Sequence, residues 1–309
     1  MNHDALIVGA GFAGAVAARR LAEEGGRRVL LLERRDHVGG NAYDCLDAAG
    51  VLIHQYGPHI FHTNDRRVFD YLSRFTKWRR YQHEVIADLP KDGPGAAHGR
   101  LTFPVPFNLD SLKAAFGEEE GERLGQKLLA AYPAQSQVTI LELRQDPDPE
   151  IAAIAGYVYE HVFVHYTMKQ WGQTPEEIDP ATTARVPLEG YTPMFERLLD
   201  HPGITVELGT DALARLALTD GGIELDGRPF DGPAIYTGQA DELFGYRFGP
   251  LPYRTLDFRF ETMPQDFFQT HGTVNYTVDE DFTRITEFKR LTGQEKPGVT
   301  TIMKEYSKA

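Results

Sequence analysis

Three glycines and one carboxylate near the start of the chain have the spacing of a dinucleotide-binding site. Gly9-Ala10-Gly11-Phe12-Ala13-Gly14 matches the pattern G-x-G-x-x-G, and Glu33 follows about twenty residues later. In such a turn the backbone approaches a pyrophosphate closely, and the N-terminus of the following helix attracts its negative charge. We predict that Glu33 accepts hydrogen bonds from an adenosine ribose, which disfavours a 2′-phosphorylated cofactor. The residues of this turn that are predicted to form the cofactor site are Gly9, Gly11, Phe12, Ala13 and Gly14, with Gly14 allowing helix and strand to pack closely.

A second glycine pair bears on which dinucleotide is bound. Gly39-Gly40-Asn41 follows Glu33 closely, and in flavoproteins that resemble glutathione reductase such a pair lies beside the cofactor. The resemblance favours FAD over NAD. We predict that Gly39, Gly40 and Asn41 contact FAD and that Arg34 lies along its adenosine half. NAD is the main alternative, and a glycine turn without a ligand is a second one.

Two histidines, His59 and His62, lie three residues apart in a segment that also contains Gly57-Pro58. This spacing is compatible with a zinc site, but no third ligand follows at a suitable distance. We therefore predict no metal at this pair.

Several segments, in the same order along the chain, resemble bacterial UDP-galactopyranose mutases. Tyr56-Gly57-Pro58-His59-Ile60-Phe61-His62-Thr63 resembles their flavin-facing loop, and Tyr166-Thr167-Met168-Lys169-Gln170-Trp171-Gly172 is equally specific to them. The other matching segments are 39–44, 104–109, 273–276 and 283–289. The resemblance extends over nearly the whole chain, whereas the glycine pattern alone is shared by many unrelated functions.

This resemblance implies an isomerase that interconverts UDP-galactopyranose and UDP-galactofuranose, with N5 of reduced FAD as covalent nucleophile at the anomeric carbon. Tyr166 would stack on uracil, Thr167 would hydrogen-bond to it, and Trp171 would lie near the sugar. The two residues assigned to catalysis are Arg284, at the diphosphate, and His59, whose backbone would lie nearest N5. The remaining implied contacts are Ile60 and Gly238 to FAD, and Asn108, Arg254 and Asn275 to the substrate. An external reductant such as NAD(P)H and a homodimer are also implied.

The elements that position these residues follow from hydrophobic periodicity. Apolar runs at 5–8 and 28–33 around a helical stretch at 13–24 predict a βαβ unit. A helix is predicted over 65–78 behind Asn64 as N-cap, with further helices at 108–116, 118–131 and 150–165. We predict an α/β fold with a discontinuous Rossmann-type FAD-binding domain at 1–80 and 202–250. A mostly helical substrate or dimer domain is predicted at 106–201, and an antiparallel β-sheet substrate domain at 81–105 and 251–309.

Charge and cysteine content limit the partners and the compartment. The net charge of −13 argues against sequence-independent nucleic-acid binding, which requires Lys and Arg at the phosphates. Cys45 is the only cysteine, so no internal disulfide can form. Together with the absence of an apolar signal segment or membrane-spanning run, this predicts a cytoplasmic protein with no membrane insertion.

The sequence departs from the family in two places. Only Leu188 and Glu189 separate 185–187 from 190–192, where family members have a longer mobile segment with a second diphosphate-binding arginine. Family members also continue beyond the position at which this sequence ends. These differences are compatible with a truncated enzyme and with a degenerate homologue that binds FAD or a nucleotide sugar without catalysis. An amine-oxidase-like redox flavoprotein is a further alternative.

Overall fold

The structure of the protein is a computed structural model, which describes residues 3–81, 85–90, 99–105, 107–133, 138–164 and 184–308. Along these residues, none of the helices has both the length and the apolar character needed to cross a membrane.

The described strands occur throughout the chain. They are β1 (Ala5–Val8), β2 (Val29–Leu32), β3 (Asp44–Leu46), β4 (Leu52–His54), β5 (Phe61–His62), β6 (Trp78–Arg80), β7 (Val85–Pro90), β8 (Arg100–Val105), β9 (Ala184–Pro187), β10 (Ile204–Glu207), β11 (Leu216–Thr219), β12 (Gly222–Leu225), β13 (Arg228–Pro229), β14 (Ala234–Tyr236), β15 (Thr255–Met263), β16 (Thr273–Tyr276), β17 (Arg284–Glu287) and β18 (Thr300–Lys308).

The described α-helices are fewer and mostly short. They are α1 (Phe12–Glu23), α2 (Arg66–Leu72), α3 (Leu109–Phe116), α4 (Glu118–Ala131), α5 (Ile140–Arg144), α6 (Pro149–Val158), α7 (Tyr191–Leu199), α8 (Ala240–Leu243) and α9 (Phe288–Thr292). A π-helical turn, Tyr159–Val164, continues α6.

The first of two units, Met1–Tyr81 with Ala184–Tyr253, is built on a parallel sheet of order β10-β2-β1-β14. Ile7 and Leu31 face α1 and α7, while Leu6 and Leu30 pack on the opposite face with Phe230. Both faces of β1 and β2 are therefore covered, which explains why these strands are continuous apolar runs. The predicted βαβ unit and the α/β fold class are confirmed.

The second unit, Gln82–Thr183 with Arg254–Ala309, contains a sheet of order β15-β18-β17-β16-β7-β8. Its strand pairs are antiparallel except for the parallel pair of β16 and β7. Leu89 and Phe103 on this sheet share a core with Leu112, Leu124 and Ile154 from the helices. The helical and sheet segments therefore form one unit here, and not the two domains expected from the sequence.

Two boundaries differ from the sequence-based ones. Segment 184–199 lies in the first unit, because β9 pairs with β5 and β6 and because Met194 and Phe195 of α7 belong to that unit's core. The predicted helix at 65–78 ends at Leu72, and the chain resumes as strand β6. Asp65, not Asn64, is its N-cap, accepting a hydrogen bond from the Arg67 N–H at 2.8 Å.

Candidate functional site

The turn between β1 and α1 presents unsatisfied backbone donors to a cleft of the first unit. Gly11 is the N-cap of α1, and no side chain of the described residues caps this helix. The N–H groups of the first helical turn therefore remain available to an anion, and Gly11, Phe12 and Ala13 line the cleft. A Cβ on Gly14 would lie 1.9 Å from the Gly9 carbonyl oxygen, so Gly14 is required for close packing of helix and turn.

Glu33, at the end of β2, is fixed by the backbone of both neighbouring turns. Its Oε2 accepts from the Ala10 N–H at 2.7 Å, and its Oε1 accepts from the Arg35 N–H at 2.9 Å. The residue is buried but lines the cleft. Each carboxylate oxygen has a second lone pair, so Glu33 can accept further hydrogen bonds from a ribose.

The second glycine pair forms the facing wall. A Cβ on Gly40 would lie 2.8 Å from Gly11 Cα, so the two glycine turns are in direct contact. Asn41 Oδ1 accepts from Arg35 Nη2 at 2.9 Å, and the Arg35 guanidinium lies 4.1 Å from the Tyr56 ring centroid. This wall is therefore held in place by Arg35, a residue that the sequence analysis did not single out.

The cleft brings together most of the predicted cofactor residues. Those that line it are Gly9, Gly11, Phe12, Ala13, Glu33, Arg34, Gly39, Gly40, Asn41, His59 and Gly238. Gly14 and Ile60 are not among its lining residues; Gly14 packs beneath the turn instead.

Several lining residues were missed by the sequence reasoning. They include Arg35, Thr210, Asp211, Leu213, Tyr236, Thr237 and Glu242. Thr237 directly follows β14, which pairs in parallel with β1, and the ends of parallel strands meet at one sheet edge. The strand pattern was thus a signal for Thr237, but no local signal marks Glu242, whose carboxylate lies 3.2 Å from Arg34 Nη1.

His59 is held by a second histidine. Its N–H donates to His54 Nδ1 at 2.9 Å, and its own Nδ1 lies 2.9 Å from the Gly57 carbonyl oxygen. His54 is 2% exposed, and burial, reinforced by the nearby charge of His59, lowers the pKa of His54 to about 3. His54 is therefore a neutral acceptor that fixes the loop carrying His59.

A buried carboxylate joins two of the segments singled out in the sequence. Asp44 accepts from the N–H groups of Tyr191 and Thr192, at 2.5 and 2.8 Å, and thereby caps α7 from another part of the chain. Burial raises the pKa of Asp44, and the hydrogen bonds from these donors oppose the rise. The ring of Phe12, which lines the cleft, packs against Phe195 of α7 with 4.7 Å between the ring centroids. The cap that holds α7 therefore also supports the cleft.

In the second unit, the predicted residues Asn275 and Arg284 lie in one row with Glu305, which was not predicted, across neighbouring strands. Arg284 is paired in register with Asn275 on one side and Glu305 on the other. Arg284 Nε lies 3.2 Å from the buried Glu305 carboxylate. Among the described residues, nothing hydrogen-bonds to Asn275 Oδ1, although the residue is only 9% exposed. The row therefore presents a fixed cation beside an acceptor.

The other predicted substrate residues are placed differently. Arg254 Nη2 lies 3.4 Å from Ser307 Oγ, two residues along the strand from Glu305. Asn108 is the N-cap of α3, since its Oδ1 accepts from the Ser111 N–H at 3.1 Å within a capping box. Tyr166, Thr167 and Trp171 lie outside the described residues. Within the described ranges, no cluster of three or more His, Cys, Asp or Glu could hold a metal.

Comparisons with known proteins agree with this arrangement. A profile described as an NAD(P)-binding Rossmann-like domain matches residues 7–75, and one described as UDP-galactopyranose mutase matches residues 183–309. A crystal structure of reduced UDP-galactopyranose mutase superimposes with a TM-score of 0.63 at 17% identity, covering 99% of this chain and 75% of that one. At that identity it supports the fold alone.

Sequence relatives extend over nearly the whole chain. UDP-galactopyranose mutase of Mycoplasma pneumoniae is 31% identical, covering 97% of this chain and 78% of that protein. A probable UDP-galactopyranose mutase of Klebsiella pneumoniae is 32% identical, covering 100% and 79%. The dTDP-fucopyranose mutase of Escherichia coli is 32% identical, covering 98% and 81%. The chain belongs to the UDP-galactopyranose mutase family of isomerases.

Proposed function

We propose that the protein interconverts UDP-galactopyranose and UDP-galactofuranose with FAD bound in the cleft of the first unit. The observation that supports this most strongly is the similarity to UDP-galactopyranose mutases along 97% to 100% of the chain. The lining of the cleft gives it a physical basis.

The residues of the cleft fit a dinucleotide. The uncapped N-terminus of α1 offers backbone donors to a diphosphate, and Glu33 lies beside it with lone pairs for a ribose. Gly39, Gly40 and Asn41 form the wall on the other side, where a flat ring can approach the backbone. Because the His59 backbone N–H is donated to His54 and its Nδ1 lies beside the Gly57 carbonyl oxygen, the carbonyl of His59 and the face of its ring are the groups proposed to contact such a ring.

When bound in its reduced form, the flavin would supply N5 as the covalent nucleophile at the anomeric carbon of the sugar. The chain's own residues would hold the leaving UDP so that it can return. Arg284 suits this role because its guanidinium is a permanent, planar cation whose donors match phosphate oxygens, and its Nε lies 3.2 Å from Glu305 Oε1. Holding UDP close makes its return effectively unimolecular.

Three further expectations concern the compartment, the reductant and the oligomeric state. A single cysteine in the sequence is compatible with the reducing cytoplasm, and NAD(P)H is the proposed reductant of the flavin. The homodimer stays a prediction. A redox flavoenzyme is less well supported, since (S)-6-hydroxynicotine oxidase of Paenarthrobacter nicotinovorans matches only 34% of this chain.

The test is turnover by purified protein with UDP-galactofuranose, followed chromatographically with and without dithionite. We expect conversion to UDP-galactopyranose only after reduction, with no reductant consumed per turnover. Stoichiometric consumption of reductant would favour the redox alternative. A colourless protein whose spectrum ignores UDP would refute both.

Two further arms of the same assay sharpen the result. Arg284→Ala should weaken UDP binding and turnover while the bound flavin remains, because Arg284 is proposed to contact the substrate and not the cofactor. Since dTDP-fucopyranose mutase is 32% identical, dTDP-fucopyranose is the competing substrate to include. Higher kcat/KM for dTDP-fucopyranose would reassign the substrate within the same chemistry.

A further inference from the structure

The small sheet of order β5-β9-β6 in the first unit is positively charged, although the protein is acidic overall. Its nine residues include three arginines and one histidine, and none of them is a carboxylate. A net charge of −13 makes such a concentration of one sign unusual for this chain.

Two of the arginines are direct neighbours. Arg185 of β9 pairs in register with Arg80 of β6 on one side and with Phe61 of β5 on the other. Residues that are directly opposite in an antiparallel pair have Cβ atoms about 4.5–5.5 Å apart on the same face, and like charges in that position repel. The row Phe61, Arg185, Arg80 therefore places two arginine side chains next to each other on one face of the sheet, where their like charges repel.

Neither guanidinium is neutralised within the described ranges. No ion pair joins Arg80 or Arg185 to a described carboxylate. By contrast, Arg66 lies 2.8 Å from Asp70, and Arg67 lies 2.6 Å from Asp65. Arg66 and Arg67 thus have acidic partners, whereas Arg80 and Arg185, which face each other across the strands, have none among the described residues.

Arg185 is oriented by an aromatic ring. Its guanidinium carbon lies 4.5 Å from the centroid of the Phe69 ring. Stacking occupies the face of a guanidinium, whereas its N–H donors point outward from the edge in the same plane. Arg185 is therefore held in place with its donors still directed outward, while Arg80 is exposed beside it.

The row also lies near the cofactor cleft. Phe61 follows the cleft-lining His59 by two residues, so their Cα atoms are at most about 7 Å apart. Arg185 is on the adjacent strand, about 5 Å further. The Cα atom of Arg185 therefore lies within roughly 12 Å of the Cα atom of His59. An anion bound by the Arg185 guanidinium would be at most one side-chain length further away.

We propose that Arg80 and Arg185 form a binding site for a phosphate group. Two adjacent guanidinium groups match the geometry of phosphate oxygens, and a bound anion would relieve their mutual repulsion. Two sources of this group are the diphosphate of the nucleotide sugar, which rests on the function proposed above, and free inorganic phosphate.

The experiment uses the flavin-loaded full chain and measures Kd for UDP, uridine and inorganic phosphate by calorimetry. Arg80→Gln and Arg185→Gln each remove one charge, and Arg185→Lys keeps it. Arg79→Gln is the matched control, because Arg79 is the next residue on the same strand and its side chain lies on the opposite face. Circular dichroism and flavin content show whether each variant is folded.

We expect Arg80→Gln and Arg185→Gln to raise the Kd for UDP by about 10- to 100-fold, as for loss of a charge-assisted hydrogen bond. Uridine affinity should be unchanged, Arg185→Lys should be intermediate, and Arg79→Gln should change Kd less than about twofold. A loss confined to inorganic phosphate would keep the site and assign it to the free anion. Equal effects of Arg79→Gln and Arg80→Gln, or no effect on either phosphate ligand, would overturn the proposal.

The outcome is separable from that of the proposed function. If wild-type protein fails to convert UDP-galactofuranose and does not bind UDP, the mutase assignment fails, while the phosphate arm still tests Arg80 and Arg185. If wild-type protein is active and binds UDP with an affinity that Arg80→Gln and Arg185→Gln leave intact, and phosphate binding is also intact, only the inference about this pair fails.

Discussion

Acid sensitivity of the first unit should depend on His54. This residue is 2% exposed and accepts the His59 N–H through Nδ1, which requires that nitrogen to be unprotonated. The groups that face it are His59, the Tyr191 ring at 5.7 Å between centroids, and Asp44, its register partner on β3. Burial and the charge of His59 lower the pKa of His54 from 6.5 to about 3. Protonation would therefore break a hydrogen bond and bury a charge.

The direction of the effect follows from the two protonation states. The unfolded chain binds a proton at His54 below pH 6.5, while the folded protein does not until about pH 3. The free energy of unfolding is therefore not lowered by His54 above pH 6.5, and it decreases progressively as the pH falls toward 3. Each pH unit in this window lowers the free energy of unfolding by about 1.4 kcal/mol, so the loss between pH 6.5 and 5 is about 2 kcal/mol.

The measurement is denaturant unfolding at pH 7.5 and 5.0 for wild type and His54→Asn, whose Oδ1 can replace Nδ1 as acceptor. The variant is expected to be less stable at pH 7.5, since a smaller side chain leaves a cavity. Its additional loss at pH 5.0 should be about 2 kcal/mol smaller than that of wild type, because all other titrating groups are shared. His62→Asn, at an exposed position in the same segment, should behave as wild type. Equal pH dependence in wild type and His54→Asn would refute the reasoning.

Three further substitutions test the contacts around the two candidate sites. Asp44→Ala should lower the free energy of unfolding by about 2–4 kcal/mol in denaturation experiments, since two backbone N–H groups of α7 lose their acceptor. Glu305→Gln should lower it by about 1.5–3 kcal/mol and raise KM for the nucleotide sugar more than it lowers kcat, because Arg284 loses its ionic partner; unchanged KM would contradict this. Gly14→Ala should abolish flavin retention on gel filtration, because its Cβ would lie 1.9 Å from the Gly9 carbonyl oxygen, and full flavin content would contradict the packing argument.

The parts of the fold that sequence predicted well are those with short-range physical causes. The βαβ unit is confirmed because a glycine pattern, two apolar runs and an alanine-rich helix all occur within 5–33, where each favours the same local structure. Helix α4 has the predicted bounds, and α3 begins one residue later than predicted, at Leu109, because Asn108 is its N-cap. Cleft residues within this stretch, such as Glu33, could be predicted from the sequence for the same reason.

The features that the sequence did not predict depend on contacts between distant parts of the chain. The hydrophobic spacing of Val68, Leu72 and Phe75 predicted one helix to residue 78, but pairing of β6 with β9 from more than a hundred residues away ends it at Leu72. Segment 184–201, predicted in the helical domain, lies in the first unit for the same reason, since its strand partners and the core contacts of Phe195 are not encoded in its local pattern. Glu242 was missed because only the fold brings it to Arg34.

The hairpin of β3 and β4 shows how such long-range contacts position a site. Asp44 and His54 lie directly opposite each other in this hairpin, and both are buried. Asp44 accepts from the first turn of α7, which packs against Phe12 at the start of α1. His54 accepts from the loop that carries His59 into the cleft. Because each acceptor would be costly to leave unpaired at this depth, one short hairpin fixes two walls of the cleft relative to each other. The sequence distinguished the segments 39–44 and 56–63 only by resemblance. The hairpin gives a physical reason why both are needed, because it holds the two walls of the cleft that depend on them.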